Sequence, residues 1–161
     1  MKELLFLKKK DKDFIENHLQ NLSITITILD EGLQKNKWNK HESAGMGVYL
    51  SNVYNGYENI LRALINSRGI EIPRGERWHK DLLDIAESER LVPDEMLTTL
   101  KGMLGFRHLQ IHGYSYMFDE EQLKYYSSEA IKSHSIFEIH IQQIIKKSIE
   151  INEVNAEEME L

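Results

Sequence analysis

From Ile15 to Leu33 the apolar residues Ile15, Leu19, Leu22, Ile26, Leu29 and Leu33 recur at steps of three and four. That is one face of an α-helix sustained over five turns, and it is the strongest constraint in the chain. The same period returns in Met46, Leu50, Val53, Tyr57, Leu61 and Leu64, and again in Leu123, Tyr126, Ala130, Phe137, Ile141 and Ile144. Only two prolines and nine glycines interrupt 161 residues, so little forces these helices to stop. One segment argues otherwise. Ser23-Ile24-Thr25-Ile26-Thr27-Ile28 alternates with period two, a strand pattern. The helical stripe continues on both sides of it, so a helix is expected there.

Five helical stretches follow. They run from about Asp11 to Lys37, Ser43 to Arg68, Arg77 to Glu89, Pro93 to Ile111, and Asp119 to as far as Asn152. Gly69 suits the C-terminal cap of the second, and Pro93-Asp94-Glu95 is a good start for the fourth. In the third, Trp78, Leu82 and Ile85 are expected to face inward. The expected fold is all-α: an antiparallel up-and-down bundle of four main helices plus one short one. A single domain is expected over residues 1–148, followed by an acidic tail over 149–161 that is frayed or disordered. That tail carries five acids and no base from Glu150 onward, and without them 20 bases face 21 acids. The net charge of -6 therefore describes the tail more than the body. A near-neutral body does not suit a broadly basic, sequence-independent nucleic-acid binder.

Cysteine is absent, which excludes disulfides, thiolate zinc sites, iron–sulfur ligation and cysteine nucleophiles. No apolar run approaches the ~18 residues of a membrane span. The opening MKELLFLKKKDKD places charge straight after a short apolar stretch, so a cytoplasmic protein is expected.

Chemistry concentrates in Leu104-Gly105-Phe106-Arg107-His108-Leu109-Gln110-Ile111-His112-Gly113-Tyr114. A permanent cation, two imidazoles and a phenol fall within eight residues at the end of a helix. Arg107 and His112 are five apart, roughly 140° around a helix, which is poor for convergence within one chain. Gly113 can end the helix, Arg has a long reach, and two copies across a symmetric dimer converge more easily. Guanidinium binds phosphate bidentately and stabilises charge developing on its oxygens. Imidazole can take a proton from a ribose 2′-hydroxyl and return one to the leaving oxygen. Such a pair would cleave RNA without metal and leave DNA intact. A surface Arg and a helix-capping His have the same spacing.

Other polar residues leave several readings open. His108 falls on the stripe Leu97, Leu100, Leu104 and Ile111, so it is either a core histidine or a second group beside Arg107. His108 and His112 have the i, i+4 spacing of a helical metal pair. No Glu follows His108, however, and a third ligand would have to be His79, Asp119 or Glu121, so no metal and no cofactor are expected. His134 lies on the apolar stripe of the last helix and reads as structural. His79 either packs on the bundle or lines a cleft. Tyr57 and Trp78 read as core rather than as base-stacking platforms. Arg68, Arg74, Arg77 and Lys80 surround an irregular stretch with Glu71 and Glu76 among them, either a solvated loop or a rim for phosphates or an acidic partner.

The pattern Arg107-x4-His112-x-Tyr114 resembles the signature of the HEPN superfamily, specifically the HepT-like toxins. The residue after the Arg is usually Asn there, so His108 departs from the commonest form. Tyr57-Glu58-Asn59-Ile60-Leu61-Arg62-Ala63-Leu64 resembles the family's second helix, and Trp78-His79-Lys80-Asp81-Leu82-Leu83 resembles one HepT-like subgroup. The likeness covers roughly Leu19 to Ile145. It implies a helical homodimer whose paired motifs form one cleft, and a metal-independent endoribonuclease toxin of a type II toxin–antitoxin pair. It implies Arg107 as phosphate binder and His112 as acid/base, with His108 and Tyr114 as supporting residues. It also implies a nucleotidyltransferase antitoxin that adds AMP to Tyr114. The alternative within the superfamily is a non-catalytic module that only binds such a nucleotidyltransferase.

Overall fold

The computed structural model describes residues 7–112 and 119–159, with side chains at 7–107 and 119–148. Among the described residues there are five helices and no strand: α1 (Lys9–Leu33), α2 (Lys40–Ser67), α3 (Trp78–Ser88), α4 (Asp94–His112) and α5 (Glu120–Met159). The alternating segment Ser23–Ile28 is helical, as its flanking stripe requires. The fifth helix runs past Asn152, and the side chains of its acidic end lie outside the described residues.

Helix α2 is the hub, packing against each of the other four. Its inward face, from Met46 through Ile65, supplies the largest share of the core, with Val53, Tyr57, Ile60 and Leu61 fully buried. Leu19, Leu22 and Leu29 of α1 and Phe137 and Ile141 of α5 close on it from one side. Burying each such side chain contributes about 1.5–3 kcal/mol. Two glycines let helices approach closely. A Cβ at Gly56 would lie 2.7 Å from Leu22 Cδ2, and one at Gly102 would lie 2.5 Å from Tyr126 Cε1. The second contact seats α4 on α5 one turn before Arg107.

Helix ends are set by local bonds. Asn39 caps α2 by accepting from the Glu42 N–H at 2.9 Å. At its other end Gly69 takes φ 71°, the Ile70 N–H reaches Ile65 O, and the Gly69 N–H reaches Asn66 O. This is the Schellman arrangement expected of Gly69. α1 stops at Leu33, short of Lys37, because the chain turns back: Trp38 is buried and its Nε1 donates to Gly32 O at 3.0 Å, satisfying a carbonyl of the last turn.

One expected face is rotated. In α3 the buried residues are Leu82, Leu83 and Ala86, whereas Trp78 and Ile85 are only partly covered. α3 wedges between α2 and α4, so its contact face lies between the two partners, and Trp78 at its first turn is left at the rim.

Candidate functional site

Arg107 comes from α4 and reaches α2. Its Nε donates to Asn55 Oδ1 at 2.7 Å, and the side chain is half-buried. That bond fixes the guanidinium through Nε, so the two terminal nitrogens remain for a second, bidentate contact. No carboxylate among the described residues pairs with it. A positioned cation without an anion of its own is suited to bind one.

One turn along α2 lies Glu58, which is 4% exposed despite its charge. It is held by His79 Nδ1 at 2.6 Å from α3 and by Arg62 Nη2 at 3.6 Å from the next turn of α2. A buried carboxylate is tolerated only with such partners. His79 stacks on Trp78, with ring centroids 3.6 Å apart, and the Arg62 guanidinium lies 4.6 Å from the Trp78 ring centre. Both the Glu58 anion and the Arg107 cation act on Tyr54. Burial first, then the Glu58 charge, push its phenol well above the ordinary range, while Arg107 pulls the other way. The Tyr54 hydroxyl is buried, faces the Glu58 carboxylate, and has no hydrogen-bond partner of ordinary geometry among the described residues.

Two openings flank this polar cluster. A groove of about 260 Å³ between α1 and α2 is lined by His18, Asn21, Asn52, Asn55 and Asn59, so it shares Asn55 with Arg107. A cavity of about 560 Å³ opens beside Arg62 and Trp78.

The expected site residues fare differently. Arg107 is half-buried at the α4–α2 contact, tied to Asn55. His112 is the last residue of α4, but its side chain and that of His108 lie outside the described residues, as does all of Tyr114. His79 lines the polar cluster rather than only packing. Asn55, Glu58 and Arg62 were missed as site residues, although their spacing of three and four along α2 marked a shared polar face. Arg68 does not belong to an open rim: it donates to the Glu89 carbonyl at 2.8 Å and pairs with its carboxylate at 3.1 Å. His134 is 6% exposed in the core, bonded at 3.2 Å to both Ser23 Oγ and the Tyr57 hydroxyl, as a structural histidine should be. Among the described residues no group of three or more His, Asp or Glu is placed to hold a metal, and no helix is long and apolar enough to cross a membrane.

Residues 45–148 match the family of HepT-like proteins, from the first turns of α2 to Ser148 within α5, with Arg107 inside the match. The chain belongs to the HepT-like family, within the HEPN superfamily. No curated protein and no solved structure matches it. The family match starts inside α2, whereas the likeness read from the sequence began in α1.

Proposed function

We propose that this HepT-like chain is a metal-independent endoribonuclease, the toxin of a type II pair. The observation that carries this reading is Arg107: a half-buried guanidinium oriented by Asn55, with no carboxylate among the described residues paired to it. An arginine kept for structure is normally neutralised, as Arg68 is by Glu89. In the proposed reaction the ribose 2′-oxygen attacks the adjacent phosphorus and the bond to the 5′-oxygen breaks. A cyclic phosphate and a 5′-hydroxyl result. His112 takes the 2′-hydroxyl proton as neutral imidazole, and an imidazolium delivers one to the leaving oxygen. Arg107 stabilises the charge gathering on the phosphate oxygens. His108 and Tyr114 are supporting residues.

The i, i+5 spacing favours a two-fold homodimer of antiparallel bundles that brings the two α4 ends together. A nucleotidyltransferase antitoxin would silence the cleft by adding AMP to Tyr114, setting a phosphodiester anion against Arg107. The test is cleavage of single-stranded RNA in EDTA. Activity should persist there, and Arg107→Ala and His112→Ala should each lose it. Mixing the two inactive variants should restore part of it if the site is shared. Wild-type protein that binds a nucleotidyltransferase but cleaves no RNA would be a binding module instead.

A further inference from the structure

The cavity beside Trp78 lies at the C-terminal end of α2, under the segment that joins α2 to α3. At about 560 Å³ it is within the range of small-ligand sites. Its walls are of two kinds. Trp78, Ile72 and Pro73 are apolar, whereas Arg62, Asn66 and Arg74 are polar or cationic, and Glu71 is the one acid on the rim. A purely apolar ligand would offer nothing to the two guanidiniums that face it. A bare anion would have no use for the indole. A ligand with a flat aromatic part and a negative part uses both walls.

The aromatic side is already assembled. Arg62 lies over Trp78, and Glu58, itself anchored by His79, holds Arg62 in place. Indole rings and guanidinium planes are the surfaces on which unpaired nucleobases stack. The cavity is also on the same face of α2 as the Arg107 contact. Asn55, Asn59, Arg62 and Asn66 recur at steps of four, three and four, so Arg62 stands two turns, or about 10 Å, along that face from the Asn55 that holds Arg107. A strand whose phosphate sits on Arg107 can therefore continue along α2 into the cavity.

We infer that this cavity is a nucleotide subsite. It holds one unpaired nucleotide of the RNA strand, with its base against Trp78 and Arg62 and its phosphate on Arg74 and the Asn66 amide. The inference deepens the ribonuclease reading and rests on it for the identity of the strand. A free mononucleotide has the same chemistry, and the experiment separates the two.

The probe is a labelled single-stranded 2′-O-methyl oligoribonucleotide, which binds but lacks the free 2′-hydroxyl needed for cleavage, with AMP as competitor. Binding to the full chain is measured by anisotropy. Trp78→Leu should weaken it about tenfold, the scale of one lost stacking contact. Arg62→Gln combined with Arg74→Gln should weaken it at least as much and flatten its salt dependence. Arg74 is exposed, so Arg74→Gln alone supplies a variant without folding risk. Unchanged affinity in all these variants, with native helical content, overturns the subsite. If the oligonucleotide binds through the cavity but unmodified RNA is never cut, the subsite stands and the nuclease reading falls. If RNA is cut and the cavity variants cut and bind as wild type does, the reverse holds. AMP binding with no oligonucleotide binding assigns the cavity to a free mononucleotide and overturns the RNA assignment.

Discussion

Tyr54 and Tyr57 stand one turn apart on α2, and both are buried to within 1%. Their hydroxyls meet opposite situations. Tyr57 pairs with His134 Nδ1 at 3.2 Å, and His134 passes the network on to Ser23 Oγ, so α1, α2 and α5 share a closed set of polar atoms. Burial, with the Glu138 charge second, keeps the Tyr57 phenol protonated. Tyr54 faces Glu58 and has no hydrogen-bond partner of ordinary geometry among the described residues. Near it stand a buried carboxylate and a cation that no carboxylate among the described residues pairs with, and two openings flank this cluster. A satisfied polar network is what a core needs for uniqueness. An unsatisfied one is a departure that calls for a reason, and a ligand site supplies it. On the proposed reading, one side of α2 serves stability and the other binding.

The largest effect that tests this contrast is on activity. Arg107→Ala should reduce RNA cleavage by about 10²–10⁴-fold while leaving the melting temperature nearly unchanged. His134→Leu should do the opposite, lowering the melting temperature while activity per folded molecule stays close to wild type. A double readout that moves together in both variants would dissolve the distinction.

Next in size are the tyrosines themselves. Tyr57→Phe strands His134 Nδ1 in the core and should cost about 1–3 kcal/mol in urea unfolding. Tyr54→Phe removes a hydroxyl that has no partner of ordinary geometry among the described residues, so it should cost nearly nothing or stabilise slightly. Equal costs would mean that Tyr54 donates to Glu58 in solution.

A smaller effect is expected at Asn55, a positioning residue that acts through Arg107. Asn55→Ala should reduce cleavage about tenfold, consistent with one charge-assisted hydrogen bond of about 1.5–3 kcal/mol, only part of which is felt in the transition state. The loss should fall on kcat more than on KM, and Asn55→Gln should recover part of it. A merely structural Asn55 would shift melting instead.

The helices were legible because apolar periodicity is local: every stripe residue reports on its own neighbours, and five helices followed from spacing and cap residues. Faces that depend on two partners are less so: Trp78, expected inward, packs against the core but is only partly covered, because α3 is wedged between α2 and α4. The candidate site was legible in Arg107 and invisible in its setting. Asn55 is 52 positions from Arg107 in sequence, and no pattern along the chain announces that bond before α4 docks on α2. The same holds for Glu89, which takes Arg68 out of the basic rim from 21 positions away, and for the meeting of Arg62 with Trp78. Side-chain pairing across helices is a property of docking, and single-chain periodicity carries no record of it.

The smallest effect concerns acid. Burial pushes the His134 imidazole below its ordinary value of 6.5, while Glu138, at 3.8 Å, opposes the shift only in part. His18 is lowered in the same direction, by desolvation, beside Phe14 in the α1 groove. The folded state therefore binds fewer protons than the unfolded state once the pH drops below 6.5. Stability is complete above that value and declines as the pH falls from 6.5 toward the lower folded pKa, below which these groups add no further loss. Each group can contribute at most about 1.4 kcal/mol per pH unit within its window. Urea midpoints between pH 8 and pH 5, above most carboxylate titration, should fall on acidification, and His134→Gln should reduce that slope. Stability that rises on acidification in the wild type but not in His134→Gln would mean that His134 is an imidazolium paired with Glu138. The core side of α2 would then hold an ion pair of the kind seen at Glu58, and the contrast between the two sides would no longer rest on charge.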